Sequence, residues 1–167
     1  MFRTYAVATA IAGLALAGTS AGEAPAMPSD HPACTDDQIA MRVVPESGGG
    51  VPGGYHHRVE LTNVSAGTCV LKGYPGVDHR APDGTTVGAP ATRAEAPVSS
   101  VVLAPQRTAY ARLLVTSSGP LPDCTPVAAE GFQLWMPNGT VQRAASVGHT
   151  ACANPAVSNL TVWPVRA

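Results

Sequence analysis

The chain has 167 residues, a net charge of −1 at pH 7, 45% hydrophobic and 13% charged residues, and one lysine, Lys72, against nine arginines. That balance excludes a purely electrostatic grip on nucleic acid or on an anionic membrane surface, both of which need clustered Lys and Arg. The length suits one domain with a core of its own.

Residues 1–26 read MFRTYAVATAIAGLALAGTSAGEAPA. Arg3 opens a run of small apolar residues from Ala6 to Ala17, and small residues follow it. A basic start, a short apolar middle and a small-residue exit predict a secretory signal peptide over 1–21, cleaved after Ala21, with Ala24-Pro25-Ala26 as the alternative. The run is too short for a membrane span of about 20 residues, so no transmembrane segment is expected. Leu16-Ala17-Gly18 begins like a bacterial lipobox, but Thr19 stands where a lipid-bearing thiol would be needed. The chain is therefore expected to be soluble and exported, either secreted or associated with the cell envelope. Residues 22–33, GEAPAMPSDHPA, read as a flexible lead-in. Residues 34–167 read as the folded domain.

Period-two alternation then predicts strands in order. Over 38–43 the odd positions Ile39, Met41 and Val43 are apolar. Over 55–62, Tyr55, His57, Val59 and Leu61 share one face, and His56, Arg58, Glu60 and Thr62 the other. The GGGVPGG between these runs is expected to be an unstructured hairpin loop. Further strands are expected over 68–74, 77–80, 98–103, 108–116, 131–136, 141–147 and 159–165. Asn138-Gly139 signals a tight hairpin, and Gly73-Tyr74-Pro75-Gly76-Val77 a type II turn with Pro75 at its second position and Gly76 at its third. Short strands separated by turn signals predict an all-β fold, an antiparallel immunoglobulin-like β-sandwich.

The cysteines are Cys34, Cys69, Cys124 and Cys152. An even number in an exported chain predicts disulfides, and four cysteines allow three pairings. If the first two strands form an antiparallel hairpin, Cys34 and Cys69 fall at the same end of the sheet. This favours Cys34–Cys69, leaving Cys124–Cys152. Each would close a loop worth roughly 3.5–4 kcal/mol in the chain-entropy picture.

Motifs for chemistry are sparse. His31-x-x-Cys34 and His149-x-x-Cys152 have a zinc-like spacing, but two disulfides would consume the thiols. His56 and His57 are strand neighbours and point to opposite faces, so they do not share an ion. No G-x-S-x-G elbow, H-E-x-x-H helix or phosphate loop is present. No catalytic residue, metal ligand or cofactor is therefore expected. Trp135 and Trp163 fall opposite Leu134 and Val162 on their strands and form a candidate binding patch. Sequons occur at Asn63, Asn138 and Asn159.

Several segments together resemble one family. They are Cys34-Thr35, Leu61-Thr62-Asn63, Thr68-Cys69-Val70-Leu71, Gly73-Tyr74-Pro75-Gly76-Val77, Val102-Leu103-Ala104-Pro105 and the late Cys152. From Cys34 onward the chain resembles the exported actinobacterial domain of unknown function numbered 4232. It departs from that pattern at Gln106-Arg107, where the family usually has Gly. The resemblance implies an exported sandwich-like domain and carries no activity and no catalytic residues with it. The resulting expectation is a secreted, non-enzymatic module that binds a protein, a glycan or a small molecule, or serves a structural role. The alternative is a small-molecule carrier or a protease inhibitor, the latter presenting a loop such as 89–97.

Overall fold

The computed structural model describes residues 31–167; the expected signal peptide, its cleavage site and most of the lead-in lie outside them. Among the described residues there are thirteen strands and no helix. In chain order these are β1 (Ile39–Val51), β2 (Gly54–Asn63), β3 (Cys69–Lys72), β4 (Gly76–Arg80), β5 (Thr86–Val87), β6 (Thr92–Arg93), β7 (Ser100–Leu103), β8 (Thr108–Thr116), β9 (Pro126–Ala129), β10 (Gly131–Trp135), β11 (Arg143–Ala145), β12 (His149–Cys152) and β13 (Leu160–Val162). One sheet runs β1-β2-β8-β13-β6 and a second runs β11-β10-β4-β5, while β9-β12 and β3-β7 form two-stranded ribbons. Every strand pair is antiparallel except β13–β6.

Alternation becomes burial as the side-chain period of a strand requires. On β2, His57, Val59 and Leu61 are buried; on β8, Ala109, Ala111, Leu113 and Val115 are buried. The apolar ones among them meet Val77 of β4 and Phe132 and Leu134 of β10 in one hydrophobic cluster, so both larger sheets feed a single core. Phe132 is the largest fully buried side chain.

The segment from Asn63 to Val77 acts as a corner. Cys69 is bonded to Cys34. The Cys34 N–H donates to the Val70 carbonyl at 3.0 Å, and the Val70 N–H to that of Pro32 at 2.9 Å, so the end of the lead-in lies against β3. Asn63 is fully buried, and its side chain makes four hydrogen bonds. Its Nδ2 donates to the carbonyls of Gly67 (2.7 Å) and Leu103 (2.9 Å), and its Oδ1 accepts from the Ser65 N–H (2.9 Å) and hydroxyl (2.7 Å). Tyr74 reaches across and donates its hydroxyl to the Ala94 carbonyl at 2.8 Å. The second disulfide joins Cys124 to Cys152, so both favoured pairings are present.

Four local expectations are corrected. The glycine-rich hairpin is ordered: Val51 pairs with Gly54 around a tight Pro52-Gly53 turn, with Gly53 at φ 81°. Its irregularity is a bulge between Pro45 and Gly50, where Pro45 lies within β1. Asn138-Gly139 turns the chain but does not close a two-residue hairpin, because the first pair beyond it is Leu134 with Arg143. The turn instead docks on Asp36, whose carboxylate accepts the Thr140 N–H at 3.0 Å. In Gly73-Tyr74-Pro75-Gly76-Val77 the positive φ (111°) falls on Gly73 and not on Gly76, the third turn position, which is already paired with Trp135, so the turn is not type II. Finally, β5, β6, β9 and β12 had no usable sequence signal. The first two are two-residue strands, and β9 begins with Pro and continues with small residues.

Candidate binding face

The outward side of the five-stranded sheet is built by β2, β8 and the chain end. Because Arg58, Tyr110 and Arg112 are out of phase with the buried residues of their strands, they face away from the core. Arg58 and Arg112 are direct cross-strand partners. The next strand contributes by a slip. Val162 pairs with Leu113, but Arg166 pairs with Tyr110, so four steps on the last strand oppose three on β8. Pro164, which has no N–H to donate, lies within this slip. The consequence is that Trp163 and Arg166 both face the same trough although they stand three positions apart, while Val165 between them is fully buried. The Trp163 N–H donates to the Arg112 carbonyl at 2.9 Å, and Tyr110 and Arg166 exchange both backbone bonds at 2.9 and 2.8 Å.

These residues line a surface trough of about 160 Å³: Tyr110, Arg112, Trp163, Pro164 and Arg166. His56 abuts the Trp163 ring edge-on at 6.0 Å between centroids, and the Arg58 guanidinium lies 6.0 Å from the Tyr110 ring centre. Two glutamates serve the arginines of this face. Glu60 pairs with Arg42 at 2.7 Å and more loosely with Arg58 at 3.9 Å, and Glu46 with Arg112 at 3.5 Å. Among the described residues Arg166 has no ion-pair partner. No carboxylate lines the trough.

A second cluster is buried between the sheets. His79 of β4 and His149 of β12 are joined Nδ1 to Nε2 at 2.7 Å. Asn159 fixes the outer link. Its Nδ2 donates to the carbonyls of Thr116 (3.0 Å) and Thr150 (3.2 Å), so its Oδ1 is left to accept from His79 Nε2 at 2.6 Å. His149 Nδ1 donates to the Val147 carbonyl at 2.8 Å. Three links in series need three hydrogens, whereas two neutral imidazoles carry two. The pair therefore forfeits one link when neutral and completes the chain on taking up a proton. Burial opposes that proton, and so does the charge of the other imidazole: His79 is pushed down to about 4, with the Asn159 bond working the other way. His149 is lowered by burial, against the pull of the Val147 carbonyl. His57, lowered by burial and by His149 against the pull of the Val44 backbone, stands edge-on to Tyr55 and Phe132 with neither ring nitrogen in a well-formed hydrogen bond. Phe132 stacks on His149 at 4.2 Å.

The structure thus places the two tryptophans of the expected patch on different sheets. Trp163 lines the trough, while Trp135 belongs to β10 and covers Gly76, where a Cβ would come within 3.1 Å of its ring. Sequence reasoning missed Tyr110, Arg112 and Arg166. The first two follow from the alternation of β8; the third depends on the slip at Pro164. All four cysteines are consumed in disulfides, so His31-x-x-Cys34 and His149-x-x-Cys152 have no thiolate to offer a metal. Residues 89–97 carry β6, which pairs with β13, and are held further by Tyr74 on Ala94 and Ala96. No helix among the described residues is long and apolar enough to cross a membrane.

Compared with known proteins, the chain matches one family model, described as Domain of unknown function (DUF4232), over residues 34–166. No curated protein and no solved structure matches it significantly.

Proposed function

This chain belongs to the DUF4232 family, and from that premise we propose that it is an exported, non-enzymatic binding module of immunoglobulin-like sandwich type. Its working surface is the outward face of the five-stranded sheet around Tyr110 and Trp163. The observation that carries this reading is the trough itself, where two aromatic rings and two guanidiniums meet on a face that no other element of the described chain covers. Aromatic and arginine side chains gathered at one spot are what binding hot spots are made of. The sandwich assignment is supported by two sheets sharing one core. Export is supported by the leader-like N-terminus and by two disulfides. The non-enzymatic reading is supported by a trough that offers guanidiniums and rings but no nucleophile-base pair.

The test is to present wild type and the double variant Tyr110→Ala/Trp163→Ala to immobilised glycan and peptide libraries, after checking that both have the same unfolding midpoint. Wild type is expected to retain ligands that the variant releases. Identical retention would refute the reading, as would turnover of a substrate abolished by replacing one Ser or His.

A further inference from the structure

We infer that the trough takes an acidic sugar, a pyranose ring bearing a carboxylate, presented within a polyuronate chain. This rests on the reading of the sheet face as the binding surface and names what that surface recognises.

Four observations converge. First, the trough lies over β8, whose backbone is already bonded to β2 on one side and to β13 and the chain end on the other. A peptide cannot add there as a strand, so recognition must come from side chains alone. Second, the volume of about 160 Å³ admits one ring; drug-sized ligands need about 300 Å³ or more. Its apolar lining is Tyr110, Trp163 and Pro164, flat surfaces on which the C–H face of a sugar ring can stack.

Third, the polar part of the lining is made by Arg112 and Arg166. Each guanidinium is a planar fork that fits a carboxylate. Arg166 has no competing partner among the described residues, and the 3.5 Å contact of Arg112 with Glu46 is half-exposed and exchangeable. Fourth, Arg58 and Arg112 face each other directly across β2 and β8. Like charges in register destabilise a sheet, and a bound polyanion would relieve that repulsion. The arginines continue from Arg166 through Arg112 to Arg58, which Glu60 holds only loosely at 3.9 Å because its close partner is Arg42 at 2.7 Å; this row suits an anion with repeating charges more than a single monosaccharide. With no carboxylate in the trough, the two-carboxylate route of glycoside hydrolysis has no acid or base there.

The experiment is titration calorimetry of the full exported protein with an oligogalacturonate, its methyl ester and a poly-glutamate peptide of similar charge. The variants are Arg166→Gln, Arg112→Gln and Trp163→Ala. The oligogalacturonate is expected to bind, more weakly as salt rises, and each variant to weaken it roughly tenfold or more. The methyl ester and the peptide are expected to bind at least about tenfold more weakly. Tighter binding of the peptide would overturn the inference. So would equal binding of the ester, or no binding of the oligogalacturonate. If the ester binds equally and Trp163→Ala still abolishes it, acid recognition fails while the binding face stands. If the oligogalacturonate binds and no variant matters, the face itself fails too.

Discussion

The outward face around Trp163 and the buried pocket around Phe132 use similar side chains to opposite ends. On the face, His56, Tyr110 and Trp163 sit among four arginines and two glutamates, partly exposed. Inside, His57, His79 and His149 crowd one phenylalanine, and none of them has a charged partner within bonding reach. The face keeps most of its guanidiniums at the surface in loose ion pairs, although Glu46 Oε2, His56 Nδ1 and Arg58 Nε are shut off from water without a hydrogen-bond partner. The interior locks its polar groups into packing and hydrogen bonds, so stability there depends on keeping them neutral. Aromatic-histidine chemistry therefore lies at the surface at one place and serves cohesion at the other.

This contrast can be broken by substitution. Phe132→Ala should cost about 3–5 kcal/mol, because it removes the ring on which the histidines pack and leaves a cavity. Trp163→Ala, on the face, should change stability far less, by under about 1 kcal/mol. Urea midpoints of the two variants measure the ratio, and comparable losses would mean that the face is structural. Replacing both Cys124 and Cys152 by Ser should cost about 3–4 kcal/mol. It should also raise amide exchange along β9 and β12 well before β2 and β8, since these two strands pair only with each other.

Acid sharpens the comparison further. His79 is held near 4 in the folded chain, against an unfolded value of 6.5. Between those values the unfolded chain binds more protons. The contribution is thus fully present above the unfolded value and is lost as pH falls through the window towards 4. From pH 8 to pH 5 the His79 share of the loss is about 2 kcal/mol. His149 and His57 are lowered as well and add in the same direction. Urea unfolding at pH 8 and pH 5 should show the loss in wild type and a reduced one in His79→Gln; equal losses would remove His79 as its source. The smallest effect is expected at His57. With neither ring nitrogen in a well-formed hydrogen bond and only the Val44 backbone near it, His57→Leu should leave stability unchanged or raise it by up to about 1 kcal/mol.

The sequence made some of this legible and not the rest, for physical reasons. Strands buried on one face write a two-residue period into the chain, so β1, β2 and β8 could be read directly, and the hairpin they imply led to Cys34–Cys69. The histidine cluster could not be read. It joins β2, β4, β12 and the segment before β13, and no local pattern says that residues 79 and 149 will meet. The candidate face was half legible. Trp163 stood out by its residue type, but its neighbours arrive through sheet order and through the bulge at Pro164, and both are tertiary facts. Asn63 shows the opposite case, a residue flagged by family resemblance whose reason lies in four hydrogen bonds.

That asparagine also governs how the protein can be manufactured. Of the three sequons, Asn138 is exposed, whereas Asn63 and Asn159 are buried, with both amide groups committed to neighbours inside the fold. A eukaryotic secretory host attaches glycans as the chain emerges, before burial can protect these nitrogens. A sugar on Asn63 or Asn159 would leave no route to the native corner or to the histidine link. Material from such a host should therefore divide into native protein bare at both positions and glycosylated protein that cannot fold.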